Sequence, residues 1–297
     1  MEDFYLKMRD GEKIFIQYSI NQEIDTTLLY VHGGPGQGCW DFKYAANLLL
    51  KSSNNIIMYD QRGVLRSNAV TDKFSSELLI SDLEEIRKHF NIDKLILCGH
   101  SYGGHLILRY ALKYPNYIEK LIYICPTFDF KSSIKNVYRI GYEFMRSSKY
   151  IDKLNALKET VNDDTLKSYV DHLIDIPGEI REKIYFTSSE PKHVKDVIFD
   201  ISATEEDWRK GIEQQKKIFD EQEIYKNYIP LLEHLTIPSL LIVGDHDPIC
   251  CDVQQKAFVS NPNNTIAIIK NAGHSPYREN AEELVYEINK YLNNIKK

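Results

Sequence analysis

The chain lacks any apolar run approaching the roughly 18 to 20 residues that a membrane span requires. Its first twenty residues carry charges throughout and hold no apolar stretch of the kind found in a secretory leader. We expect neither a membrane span nor a signal peptide. Cysteine is scarce: Cys39, Cys98, Cys125, Cys250 and Cys251 are the 5 in the chain, an odd number with no metal-ligand spacing. That usage fits a reducing cytoplasm better than a disulfide framework. A basic excess is missing too. With 37 Lys and Arg against 43 Asp and Glu, the formal charge of -6 argues against a general nucleic-acid surface. No H-E-x-x-H or comparable carboxylate grouping occurs, and no Lys-Ser/Thr follows Gly33-Gly34-Pro35-Gly36 to make a phosphate loop. We therefore expect no metal and no cofactor.

What is present is length, aromatics and a legible alternation. The 297 residues, 20 of them Tyr, can bury a large core in one domain with an insertion or in two domains. Phe4 to Met8 and Ile14 to Ile20 flank Arg9-Asp10-Gly11-Glu12, a hairpin signal. Strand and helix patterns then alternate: strands at Leu28 to Val31, Ile56 to Tyr59, Leu95 to Cys98 and Leu121 to Cys125, helices at Trp40 to Leu50 and Ser76 to Phe90. Strands return at Ser239 to Val243 and Thr265 to Ile269, and Tyr277 to Tyr291 closes the chain as an amphipathic helix. The expectation is an α/β fold with a mostly parallel sheet covered by helices on both faces. Ligands then bind beyond the carboxyl ends of the strands.

Between Phe128 and Leu235 the alternation stops. Helical patterns follow one another at Ile134 to Ser147, Lys153 to Thr160, Thr165 to Ile174, Lys192 to Ile198 and Glu205 to Tyr228, with Pro177-Gly178 as an interruption. This block holds 21 acidic and 17 basic residues, so most of the chain's net charge lies in it. It is too long for a plain loop. The division expected is a core of residues 1–127 and 236–297 with a helical cap at 128–235.

Four loops after strands carry chemistry. Gly99-His100-Ser101-Tyr102-Gly103-Gly104 sits between an apolar strand and a helical run, the context in which G-x-S-x-G forms a nucleophile elbow. His32-Gly33-Gly34-Pro35-Gly36 can direct backbone N–H groups at a developing oxyanion; the candidates are those of Gly34 and Tyr102. A plain Gly-Pro turn, with a cis Gly34-Pro35 bond, is the alternative. Gly244-Asp245-His246-Asp247-Pro248 offers two aspartates able to orient a histidine, and Asn271-Ala272-Gly273-His274-Ser275-Pro276 offers the histidine. The order nucleophile, acid, histidine is the one this fold uses.

On these residues the chain resembles the α/β-hydrolases, and among them the proline iminopeptidases (prolyl aminopeptidases). The matching segments are His32-Gly-Gly-Pro-Gly36, Asp60-Gln-Arg-Gly63, the elbow, Gly244-x-x-Asp247 and Gly273-His274. Related amidases, esterases and lactonases share the first two. The resemblance implies Ser101 as nucleophile, His274 as base and Asp247, three residues after its glycine, as orienting acid. Two departures stand out. Leu65 replaces the second glycine of D-Q-R-G-x-G-x-S, and Pro248 follows Asp247 where the family can carry an amine-binding glutamate. That leaves Glu205 and Glu206, with Asp207, beside Trp208 as candidate amine contacts. The same cluster after Thr204 is also a helix-start signature.

The expected function is that of a cofactor-free serine hydrolase with a small-molecule or short-peptide substrate and neither nucleic acid nor membrane as partner. The preferred substrate is a short peptide with N-terminal proline or another small residue. An esterase, lactonase or amidase acting on a small acyl compound is the alternative, followed by a non-catalytic ligand receptor on a hydrolase fold.

Overall fold

The computed structural model describes residues 1–24, 26–146, 149–161, 165–187 and 203–293. The helix expected at Lys192 to Ile198 lies outside them. Eight strands, β1 (Glu2–Lys7), β2 (Lys13–Ser19), β3 (Thr27–Val31), β4 (Asn55–Tyr59), β5 (Leu95–His100), β6 (Ile118–Ile124), β7 (Ser239–Gly244) and β8 (Asn264–Ile269), form one sheet. Their order is β1-β2-β4-β3-β5-β6-β7-β8. Only β2 breaks the parallel run, pairing antiparallel with β1 and β4. Every residue of β4, β5 and β7 is buried, which is why these read as continuous apolar runs; edge strands β1 and β8 mix exposed and covered positions.

Side chains alternate across the sheet into two cores. Leu28, Tyr30, Ile56, Cys98 and Ile122 pack with helix α1 (Lys43–Lys51) on one face. Leu29, Val31, Ile57, Leu97 and Tyr123 pack on the other, with α2 (Ser76–His89) and α3 (Tyr102–Lys113). The long segment between β6 and β7 supplies α4 (Phe130–Arg146), α5 (Ile151–Thr160), α6 (Leu166–Asp171), α7 (Gly178–Tyr185), α8 (Glu205–Asp220) and α9 (Ile229–Leu232). These helices do not pack alike. Ile134, Val137, Leu154, Ile180 and Ile184 close a cluster of their own, whereas Ile218, Ile224, Tyr228 and Leu232 join the core of the sheet.

Several boundaries differ from the sequence expectation. Pro177-Gly178, expected as an interruption, opens α7: Pro177 is its N-cap and its carbonyl accepts from Ile180 and Arg181. The helix expected from Glu205 to Tyr228 ends at Asp220, because Glu221 turns to extended backbone and its carboxylate accepts the Ser76 N–H at the start of α2. Helix α10 (Asp252–Val259) has no counterpart in the sequence pattern; it buries only Gln254 and Phe258, too little for a clear stripe. The closing helix is two, α11 (Pro276–Glu279) and α12 (Ala281–Asn293), broken at Asn280, whose φ -149 and ψ 64 leave the helical region.

Candidate active site

Ser101 joins β5 to α3 with φ 52 and ψ -118, a backbone conformation that a non-glycine residue rarely holds. The neighbours that permit it are glycines for a steric reason. A Cβ on Gly103 would lie 2.1 Å from the Val31 carbonyl oxygen, and one on Gly99 would lie 2.6 Å from that of Gly103. The serine N–H is held by the Ile124 carbonyl at 2.9 Å, which fixes the turn to the end of β6.

Three separate loops meet there. His274 Nε2 lies 2.9 Å from Ser101 Oγ, and His274 Nδ1 lies 2.8 Å from Asp247 Oδ1. The Asp247 side chain is fully buried and also accepts the N–H groups of Ile249 and Cys250 at 3.1 and 2.9 Å. Asp245 faces elsewhere, onto His246 Nδ1 at 2.7 Å and Ala272 N–H at 3.2 Å. Of the two aspartates left open by composition, geometry joins Asp247 to the histidine. Cys125 Sγ also lies near, its sulfur and the donor atoms of Asp247 and His274 falling within 4.8 Å of one another. Burial pushes the Cys125 thiol well up, and the Asp247 oxygens are already occupied by three N–H donors, so the group is poorly suited to a cation.

The Tyr102 N–H, first of α3, has no partner inside its helix. Gly34, with φ +120, sits in the loop after β3, and its peptide bond to Pro35 is cis. Gly33 touches the elbow so closely that a Cβ there would lie 2.9 Å from Ser101 Cβ. Gly34, Ser101, Tyr102 and His274 all border one cavity of about 500 Å³, whose far wall comes from α4, the α6–α7 region and α8.

The family model described as alpha/beta hydrolase fold matches residues 26–281, which include the elbow and both partner loops. The chain belongs to that family. Among curated proteins it is similar to the proline iminopeptidase of Saccharolobus solfataricus, at 25% identity over 99% of this chain and 96% of that protein. It is equally similar, at 25% identity over 95% of this chain and 93% of the relative, to the proline iminopeptidase of Thermoplasma volcanium. Among solved structures it resembles a proline iminopeptidase-related protein from Thermus thermophilus, with TM-score 0.74, 16% identity and coverage of 98% and 96%. It also resembles an esterase from Exiguobacterium antarcticum, with TM-score 0.68, 18% identity and coverage of 97% and 98%. Membership of the alpha/beta hydrolase fold family and these relatives support a hydrolase.

Within this hydrolase fold, the D-Q-R-G segment is a docking seam. Arg62 forks onto buried Asp82 at 2.7 and 2.5 Å and reaches Asp10 at 2.7 Å, so it pairs within the protein. Leu65 keeps φ +41 where the family pattern has glycine. His32 Nδ1 donates to the Gly33 carbonyl and Nε2 accepts from Gln61 N–H, and burial lowers its pKa to about 4, so the ring is neutral. Helix α8 then clasps both motifs. Gln214 accepts from Gly36 N–H at 2.9 Å and donates to the Arg62 carbonyl at 2.8 Å, while Gly211 and Gly36 meet backbone to backbone.

The candidate amine contacts do not reach the cavity. Glu205, Glu206 and Trp208 are absent from its lining, and Glu205 and Glu206 stand exposed in the first turn of α8. Thr204 and Asp207 form a capping box, which accounts for the acidic cluster as a helix start. Trp208 packs edge-on against Trp40 at 6.1 Å. Instead the described lining holds no Asp or Glu, and its cationic side chains are those of Arg181 and Arg278, set beside the imidazoles of His100 and His274. Sequence reasoning missed both arginines, Gln214, and Glu279, which accepts the Gly273 N–H at 2.8 Å and steadies the histidine loop. It also missed the Tyr185 carbonyl, which accepts the His274 N–H at 2.8 Å. Only Arg278, one turn beyond the histidine, had a position that could have raised it.

Proposed function

We propose that this chain is a serine hydrolase working through an acyl-enzyme. His274 takes the Ser101 proton, Ser101 attacks the carbonyl, and the Gly34 and Tyr102 N–H groups hold the oxyanion. Asp247 keeps Nδ1 protonated and stabilises the imidazolium, which then protonates the leaving group; water repeats the sequence on the acyl-enzyme. The single observation that carries this reading is the unbroken Ser101–His274–Asp247 hydrogen-bonded chain at 2.9 and 2.8 Å. Residues 128–235 act as a cap that restricts access to small molecules and short peptides, and the five unpaired cysteines favour a reducing, cytoplasmic setting.

Two substrate classes divide the support. The near full-length resemblance to proteins named proline iminopeptidase favours release of N-terminal proline or another small residue from short peptides. The cavity favours a small ester, lactone or amide without a free amine, because no carboxylate among the described lining residues is there to receive an ammonium group. The test is hydrolysis of prolyl-anilide, its N-acetylated form and a short-chain nitrophenyl ester, with Ser101→Ala as control. Cleavage of the free-amine compound alone establishes the aminopeptidase. Turnover of the ester alone establishes the second class, and turnover equal to that of Ser101→Ala on all three, with Ser101 also left unlabelled by a fluorophosphonate, removes the enzyme reading in favour of a ligand receptor.

A further inference from the structure

We propose that the cavity selects substrates whose leaving group carries a carboxylate, received by Arg181 and Arg278. This rests on the serine hydrolase reading and names its substrate class. The chain pairs its other buried or part-buried arginines with carboxylates: Arg62 with Asp82 at 2.5 Å, Arg66 with Asp60 at 2.6 Å, Arg87 with Glu84 at 2.8 Å, and Arg109 with Glu77. The two arginines on the cavity break that rule. Among the described residues neither makes an ion pair, and the Nε of each is buried without a hydrogen-bond partner. A buried, unpartnered guanidinium N–H is costly unless something binds there. Asp41 is close enough for the Arg278 charge to act on it, but its carboxylate accepts the Tyr277 hydroxyl at 2.8 Å.

Position assigns the side of the substrate. Arg181 lies one turn before Tyr185, whose carbonyl holds the His274 N–H, and Arg278 follows His274 by four residues. The Arg278 guanidinium lies over the Phe186 ring at 4.9 Å, which joins the two segments. Both cations thus come from segments fastened to the histidine that hands its proton to the departing group. The oxyanion donors Gly34 and Tyr102 come from other loops. Guanidinium forks match a carboxylate in geometry and charge. The class that fits is an N-acyl amino acid, an N-blocked dipeptide with a free C-terminus, or an ester of a hydroxy acid. In each, the acyl carbon–nitrogen or carbon–oxygen bond breaks as the acyl–Oγ bond forms. The amine or alcohol leaves with the proton from His274 and keeps its carboxylate, and water then releases the acid.

The test compares 4-acetoxybenzoate with 4-acetoxybenzyl alcohol, which carry the same acyl group, in the intact chain and in Arg181→Met and Arg278→Met. We expect a preference for the carboxylate that falls about tenfold to a hundredfold in kcat/KM in each variant, with less than a twofold change for the neutral ester. Equal losses on both esters, or no preference in the parent chain, overturn the proposal. A fluorophosphonate label on Ser101 reports the nucleophile separately, so a labelled protein without carboxylate preference fails this inference and leaves the hydrolase reading standing. If neither ester turns over, binding to Ser101→Ala protein decides. Binding of 4-hydroxybenzoate but not 4-hydroxybenzyl alcohol, lost on removing either arginine, supports the site, and equal binding of the two overturns it.

Discussion

The two walls of the cavity are finished to different degrees. On the sheet side, the side chains that would do the chemistry already have protein partners: His274 is held at both nitrogens and Asp247 accepts three N–H groups. On the helical side, the wall mixes apolar and aromatic side chains with two guanidinium groups whose Nε atoms are buried without a hydrogen-bond partner among the described residues. A reacting group gains from geometry that is fixed before the substrate arrives. A recognition surface has to leave interactions unmade until then. The difference separates how a bond is broken from which molecule presents it.

The hardest way to break this comparison is at Ser101. Ser101→Ala should lower turnover by about 10⁴- to 10⁶-fold while the melting temperature stays within a few degrees, because the removed hydroxyl contributes to reaction and little to packing. Residual activity near that of the parent would move the chemistry off this wall. Next in size is the acid. Asp247→Asn should cost about 10⁴-fold through the wrong histidine tautomer, and Asp245→Asn less than tenfold, since its contacts are to His246 and Ala272. Comparing kcat of the two variants checks this; the opposite ranking would mean that the hydrogen-bonded chain described here is not the one that works.

The same contrast explains what the sequence made legible. Ser101, Asp247 and His274 lie in loops that follow strands β5, β7 and β8, and a parallel strand buried on both faces, as β5 and β7 are, writes itself as an apolar run. Once β5, β7 and β8 are placed, the loops that follow them must share one edge of the sheet. Glycines at 99 and 103 are required by contacts under 3 Å, so the elbow shows as a motif. Arg181 and Arg278 have no such signature. An arginine at a cavity and one on a surface look alike in sequence, since the distinction lies in which carboxylate is absent. Gln214 is the same kind of case: completely buried and bonded to two motifs, it sits in a run of polar residues that reads as a solvent face. The acids at Glu205 and Glu206 misled for the converse reason, because a helix N-terminus attracts carboxylates without any ligand.

The seam between the two walls can be tested at its closest approach. A methyl added at Gly211 would sit 2.1 Å from the Gly36 carbonyl oxygen, so α8 must shift off the loop after β3. Gly211→Ala should lower stability by about 1–3 kcal/mol and raise KM more than it lowers kcat. Gly178→Ala, at the first turn of α7, meets nothing closer than 4.0 Å and should leave stability unchanged or raise it by about 0.5 kcal/mol. Denaturant unfolding of both variants separates a wall held at that seam from one held elsewhere. Equal behaviour of the two would show that the close approach is slack.

An effect that touches neither turnover nor the seam lies behind the sheet-side wall. Burial raises the Asp41 carboxyl from 3.8 to about 6, against the opposing pull of the Tyr277 hydroxyl bond and the Arg278 charge. A raised acid is disfavoured as the anion, so between about pH 4 and 6 the folded chain binds this proton more tightly than the unfolded one. Stability from this group therefore falls as pH rises through that window, and the cost is fully present above it. Asp41→Asn keeps an oxygen to accept the Tyr277 hydroxyl and removes the charge. It should stabilise the fold at pH 8 by about 1–3 kcal/mol, with the gain shrinking toward nothing near pH 4. Melting curves of both proteins across that range read the sign directly. A loss of stability at pH 8 that vanishes toward low pH would mean that Asp41 is held as an anion by Arg278, and Arg278 would then have a carboxylate partner after all.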